Sequence, residues 1–195
     1  MAAIWILLDR ATTSTEEIFL RTFSAIVAAL NSLVRFRRDL LTPTLAQLTA
    51  LLARLIRVLR LRTSHALDAP QRSVESQASL SGKATEFARL LAGLSTKTVA
   101  RPSGSNKPEQ ATKAESLARP FARHAPYLLV AYAESAADMS TAVRNSLKPG
   151  LFALCVMCGT PARDMIMVTM LDTLEKEVFG ALWREWEAQK YTGKG

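Results

Sequence analysis

Phe19, Phe23, Ile26, Leu30 and Leu33 recur at alternating spacings of four and three, the period that lays one apolar stripe along an α-helix. They predict a helix from about Thr15 to Arg38. Thr42 and Pro43 then read as a cap followed by proline at the first helical position, opening a second helix that runs to about Arg62. The short turn between the two implies an antiparallel pair. On the second helix Leu45, Leu48, Leu52, Leu55 and Leu59 form one stripe, and Leu51 and Val58 form another about 100° around the axis. A helix with two stripes touches two neighbours.

From Ser64 to Ser81 and from Ser95 to Lys113 the chain turns to Ser, Thr, Pro, Gln and Lys, including Pro102-Ser103-Gly104-Ser105-Asn106, with no apolar period. Both stretches read as linkers. Between them Phe87, Leu90, Leu91 and Leu94 support one short helix at about 83–94. After Pro120 the apolar density returns, and Pro126-Tyr127-Leu128-Leu129-Val130-Ala131-Tyr132 starts a buried helix with proline in its first turn. A further helix from about Ser140 is expected to break near Lys148, because the residue before Pro149 is driven out of helical geometry and Gly150 follows. It restarts as Leu151 to Cys158. Thr160-Pro161 repeats the cap-and-proline signature and opens the last and longest helix, with Met167, Leu171, Leu174, Val178 and Leu182 as its core stripe and Phe179, Trp183 and Trp186 along one flank.

Strand-like alternation is missing from this reading, which is an all-α protein of six or seven helices in antiparallel pairs. The architecture is either a HEAT-like α-solenoid or an irregular helical bundle. Residues 1–63 form an N-terminal helix pair and residues 64–113 the linkers with their short helix. Residues 114–195 form a C-terminal helical part packed with 1–63 as one domain.

Composition adds the sign of the partners. The chain has 195 residues, 49% of them hydrophobic, and a formal charge of +8. That surplus favours polyanions such as RNA. It is uneven: residues 1–63 hold nine basic and four acidic side chains, residues 160–195 five and six. The two cysteines stand three residues apart and cannot staple distant parts of the chain, which excludes a disulfide framework and fits a reducing compartment. The apolar opening Ala2-Ala3-Ile4-Trp5-Ile6-Leu7-Leu8 has no preceding basic region and stops at Asp9, so it makes a poor signal peptide. Its abruptness suggests the tail of something longer. No uninterrupted apolar run approaches the roughly 18 residues of a membrane span, and the expectation is a soluble protein with no membrane partner.

Three segments of the last third carry a resemblance. They are Ala125-Pro126-Tyr127-Leu128-Leu129-Val130-Ala131-Tyr132, then Val143-Arg144-Asn145-Ser146-Leu147-Lys148-Pro149-Gly150-Leu151-Phe152-Ala153-Leu154, then Phe179-Gly180-Ala181-Leu182-Trp183-Arg184-Glu185-Trp186 with the Lys190-Tyr191-Thr192-Gly193-Lys194-Gly195 end. In order and spacing they resemble the C-terminal domain of the unhealthy-ribosome-biogenesis protein two family, a fungal nucleolar pre-rRNA-processing family. Leu33-Val34-Arg35-Phe36-Arg37-Arg38-Asp39-Leu40-Leu41 fits the same domain more loosely. Members are much longer, mostly helical proteins. The resemblance implies a non-catalytic role in early large-subunit (60S) assembly and pre-rRNA processing in the nucleolus, alongside other assembly factors that include a helicase.

Candidate residues follow from chemistry. Arg35, Arg37 and Arg38 close the first helix, and Arg54, Arg57 and Arg60 step by roughly 60° along the free side of the second, given about 3.6 residues per turn. With Arg62 nearby they make a basic stripe suited to pre-rRNA phosphates; the alternative is a solvated face. Trp183, Trp186, Lys190 and Tyr191 form a candidate partner-docking ridge, set against plain core packing. Cys155 and Cys158 have redox or half-zinc spacing, but the only histidines, His65 and His124, stand at unrelated positions, so the cysteines read as small hydrophobes in an apolar helix. No nucleophile, orienting acid or Gly-rich phosphate loop accompanies His124. The expectation is no enzyme, no metal and no cofactor. A generic helical RNA-binding or adaptor domain unrelated to ribosomes is the rival reading, and an enzyme or zinc protein the second.

Overall fold

The computed structural model describes residues 15–67, 74–99 and 114–192, together with residue 6. The apolar opening and most of the second polar stretch lie outside them. Helix α1 (Glu16–Phe36) buries Phe19, Phe23, Ile26, Val27, Leu30 and Val34, the stripe expected, with Val34 taking the place of Leu33 at its end. The chain turns at Arg37, where φ is −132°, and passes through short α2 (Arg38–Leu41) and a 3-10 turn (Thr42–Thr44) into α3 (Leu45–Leu67). Thr42 is therefore not the cap: its backbone is helical, and its hydroxyl donates to the Arg38 carbonyl at 3.0 Å. Helices α1 and α3 run antiparallel, and the Arg62 guanidinium lies 4.7 Å from the Phe19 ring centroid. Leu48, Leu51, Leu52, Leu55, Ile56, Val58 and Leu59 of α3 are all fully buried.

The short helix expected at 83–94 is longer. It begins at Val74 and runs to Gly93 (α4), burying Leu80, Ala84, Phe87, Ala88, Leu90 and Leu91. The middle of the chain thus supplies a core helix. Beyond it a two-residue antiparallel ladder pairs Thr98–Val99 (β1) with Ala114–Glu115 (β2). Short α5 (Ala118–Phe121) leads into α6 (Ala125–Ala136), which buries ten of its residues, Pro126 and Tyr132 among them.

Helix α7 (Thr141–Met165) does not break at Lys148. Ser140 caps it by accepting from the Val143 amide, and helical geometry runs through Pro149 until Gly159, where φ is +68° and ψ 176°. Proline costs a helix one hydrogen bond and a clash with the preceding turn, but Pro149 and Asn145 are both exposed, so water can solvate the freed Asn145 carbonyl. On the opposite face Val143, Leu147, Gly150, Leu151, Leu154 and Cys155 are buried, and that packing outweighs the local preference. Gly159 sits in a backbone region open essentially to glycine alone. Thr160-Pro161 does restart the helix, but only to Met165. A π-helical turn (Ile166–Met170) follows, Leu171 is extended, and α8 (Thr173–Thr192) begins afresh. A reciprocal cap marks that start: the Glu175 amide donates to Asp172 Oδ1 and the Asp172 amide to Glu175 Oε2, both at 2.9 Å. The break resets the phase of the last stripe. Leu171 and Leu182 are buried, Met167 and Val178 half-buried, and Leu174 is 58% exposed.

The closest backbone neighbours are α4 with α7, α3 with α6, α1 with α4, and α6 with both α7 and α8. Long helices that pair mostly out of chain order make an irregular helical bundle rather than a solenoid of stacked hairpins. By length and mean hydropathy, Glu16–Phe36 (1.4) and Thr141–Met170 (1.5) are apolar enough to cross a membrane, a property visible only when polar interruptions are averaged. Each buries one face, the first through Phe19, Phe23 and Leu30 and the second through Val143, Leu147, Leu151 and Leu154, while Val156 and Val168 of the second stay exposed.

Candidate functional site

The six arginines expected to form one stripe separate into two groups. At the end of α1, Arg35 lies with its guanidinium carbon 5.6 Å from the Phe36 ring centroid. Arg37 holds Asp39 through two bonds, at 3.3 and 3.1 Å, and both side chains are mostly exposed. That pairing raises Arg37 and lowers Asp39 relative to their ordinary pKa values, chiefly through the shared hydrogen bonds. Arg38 points back over the helix end, donating to the Val34 carbonyl at 2.8 Å and to the Thr96 carbonyl at 2.7 Å. It thereby ties the segment after α4 to this corner.

On α3 the row is engaged across the bundle. Arg57 donates to Glu134 of α6 at 3.1 Å, and Arg60 pairs with Asp138, just past α6, at 3.8 Å. Arg54 is half-buried. These carboxylates come from about eighty residues away, which a scan along the sequence had no means to see.

Near the C-terminus the rings split in the same way. Trp183 is 3% exposed, packed between Phe179 (centroids 5.8 Å) and Trp186 (4.7 Å), with its indole N–H donating to Glu187 at 2.9 Å. The Arg163 guanidinium carbon lies 5.8 Å from the Trp183 ring and 3.9 Å separates Arg163 from Glu187. Trp183 is core. Trp186 is half-buried with Lys190 Nζ 5.3 Å from its ring, and the two line a groove with Phe152, Ala153, Val156 and Gly159 of α7. Val156 is 64% exposed. The side chain of Tyr191 falls outside the described residues. Lys148 clamps this edge by pairing with Glu185 at 2.6 Å.

The Cys155 and Cys158 thiols are free. Burial raises both, Cys155 with help from Cys158, and pushes Cys158 up to about 12. Thiols held so far from ionisation are poor nucleophiles and poor ligands, and among the described residues no three metal-ligating side chains cluster. Burial lowers His124, and Arg123, whose Nε donates to the ring at 3.2 Å, lowers it further. The side chain of His65 lies outside the described residues. Two features escaped the sequence reading. Phe36, 72% exposed, lies off its helix's apolar stripe between two arginines, which was a usable signal. The Phe152–Val156 wall of the groove was not, since those residues read as ordinary core.

The described residues form an all-α bundle with exposed arginines and Phe36 at the end of α1 and a groove between α7 and α8. The chain belongs to the Urb2/Npa2 family, whose model matches residues 2–194. Membership in this ribosome biogenesis family implies involvement in ribosome biogenesis. No curated protein and no solved structure matches the chain.

Proposed function

We propose that the chain is a non-catalytic scaffold in early large-subunit (60S) biogenesis and pre-rRNA processing. It works in the nucleolus, binds other assembly factors that include a helicase, and contacts pre-rRNA. The family match over residues 2–194 carries this reading. Two surfaces support it: the groove of Trp186 and Lys190 against α7 offers an apolar slot for a partner, and the arginines at the end of α1 and along α3 offer cations for phosphate. Because Arg57 and Arg60 already face carboxylates, the α3 row contributes less to RNA than its charge count suggests.

The test is to recover the tagged chain from its native cells at endogenous level and identify the co-purifying proteins and RNA. Large-subunit assembly factors and pre-rRNA are expected. Their absence, with unrelated proteins or RNAs recovered, refutes the reading in favour of a generic adaptor.

A further inference from the structure

We infer that the corner formed by Arg35, Phe36 and Arg37 is a stacking site for an unpaired base of single-stranded RNA, with Lys97 beside it on the phosphate path. The inference rests on the pre-rRNA contact proposed above and names where and how that contact is made.

Phe36 is the last residue of α1 and 72% of it is exposed. The helix gains nothing from a ring there: the buried face of α1 runs through Leu30 and Val34, and the contact described for Phe36 is the Arg35 guanidinium at 5.6 Å. The corner is also held in place. The Arg37 amide still donates to the Leu33 carbonyl at 2.9 Å, and Arg38 bonds both the Val34 and Thr96 carbonyls, so the ring stands on a braced helix end. The Arg38 bond to Thr96 brings the next residue, exposed Lys97, to the same place. Arg35 and Arg37 thus flank the ring, with Arg37 on Asp39, and Arg38 links the corner to the segment that carries Lys97.

An aromatic ring interleaved with cations is the arrangement that binds single strands. The ring stacks on a base of any identity, and the cations follow the backbone. The Arg37–Asp39 pair is exposed on both sides and so is weak enough for a phosphate to displace. A protein partner would more often use an aromatic seated in a desolvated pocket, whereas Phe36 projects into solvent. A duplex hides its base faces and leaves the ring nothing to stack on.

The full chain is titrated by fluorescence anisotropy, over a range of KCl concentrations, against a labelled single strand of about twelve adenylates and against the same strand annealed to its complement. The expected result is that Phe36→Ala weakens single-strand binding by about 5- to 150-fold, the stacking free energy of one base converted to affinity. It should leave the salt slope and duplex affinity unchanged, and Phe36→Trp should retain binding. Arg35→Gln should instead flatten the salt slope by about 0.7. If folded Phe36→Ala binds the single strand like the unaltered chain, the stacking site is refuted while RNA contact stands. If the unaltered chain binds neither probe, both readings fall. If Phe36→Ala spares RNA binding but loses an assembly factor from the native complex, the corner is a protein site and the inference is overturned.

Discussion

The helix crossing at Gly150 can be tested by adding a single methyl group. A Cβ at this position would stand 2.6 Å from the Ala88 carbonyl oxygen, 2.7 Å from the Ala88 Cα and 3.0 Å from the Leu91 Cβ. The first two are backbone atoms and cannot rotate aside. Restoring ordinary contact requires α4 and α7 to separate by about an ångström, since carbon atoms settle near 3.5–4.0 Å. Ala84, Phe87, Leu91, Leu147, Leu151 and Leu154, all fully buried, would then lose part of their contact. Overpacking of this kind costs about 1–3 kcal/mol and sometimes more, while Gly→Ala inside a helix returns about 1 kcal/mol. With the clash falling on backbone, the upper part of the range applies and the net loss for Gly150→Ala is about 2 kcal/mol.

At about 2–4 °C per kcal/mol for a chain of this size, Tm should fall by about 4–8 °C. Gly82→Ala is the control. Gly82 lies inside α4, and a Cβ there would meet nothing within 4 Å, so this change should stabilise by about 0.5–1 kcal/mol through propensity alone. Thermal unfolding followed by circular dichroism reads both. A Gly150→Ala chain that melts at or above the unaltered one would refute the close crossing, and with it the reason α7 runs through Pro149.

Leu174→Ala should change stability by less than about 0.5 kcal/mol and Phe179→Ala should cost about 3–5 kcal/mol, because Leu174 is 58% exposed and Phe179 fully buried; denaturant melts that reverse this order would restore the unbroken last helix. At pH 8 Cys155 should react with a disulfide reagent only on unfolding, since it is buried and held protonated, while half-buried Cys158 reacts slowly in the native chain; rapid native reaction of Cys155 argues against its burial. Burial works to raise Glu86, but Lys83 at 2.7 Å and the Ser24 hydroxyl at 2.6 Å outweigh it and hold the carboxyl below its usual range. Its stabilisation is therefore complete above the unfolded pKa of about 4.3 and is lost as pH falls through the lower folded value. Glu86→Gln should flatten Tm against pH below about pH 5, and an unchanged slope would refute the coupling.

The stripes of large aliphatic and aromatic side chains were legible because burial repeats with the helix. Phe19, Phe23 and Leu30 on α1 and, on α3, Leu45, Leu48, Leu51, Leu52, Leu55, Val58 and Leu59 are buried where the period puts them, whereas Ile56 is buried outside those stripes. The first half of α4 was not, although Leu80, Ala84, Phe87, Leu91 and Leu94 keep helical spacing and are buried. Two helices that approach as closely as α4 and α7 must do so through small residues. Ala88 and Gly150 supply that contact; Ala88 lies within the helix expected at 83–94, whereas Gly150 read as part of a helix break. The break at Leu171 was legible only through the Asp172 and Glu175 cap, because the apolar period of Met167, Leu171, Leu174 and Val178 runs through it without a gap.

The candidate site was harder to read because surplus charge and available charge are different quantities. Residues 1–63 hold nine basic side chains against four acidic ones, yet Arg57 and Arg60 meet Glu134 and Asp138 from the far end of α6. Charge counted segment by segment misses pairs that the fold creates between segments. Those pairs are about half exposed, so each is worth about 0–1 kcal/mol, and a polyanion can compete for them only by giving back that amount. A polyanion approaching α3 would therefore compete with the bundle's own ion pairs for Arg57 and Arg60. At the end of α1 the carboxylate seen among the described residues is Asp39, which pairs with Arg37. Arg35 and Arg37 are exposed at that corner, on the part of α1 that also exposes an aromatic ring, Phe36.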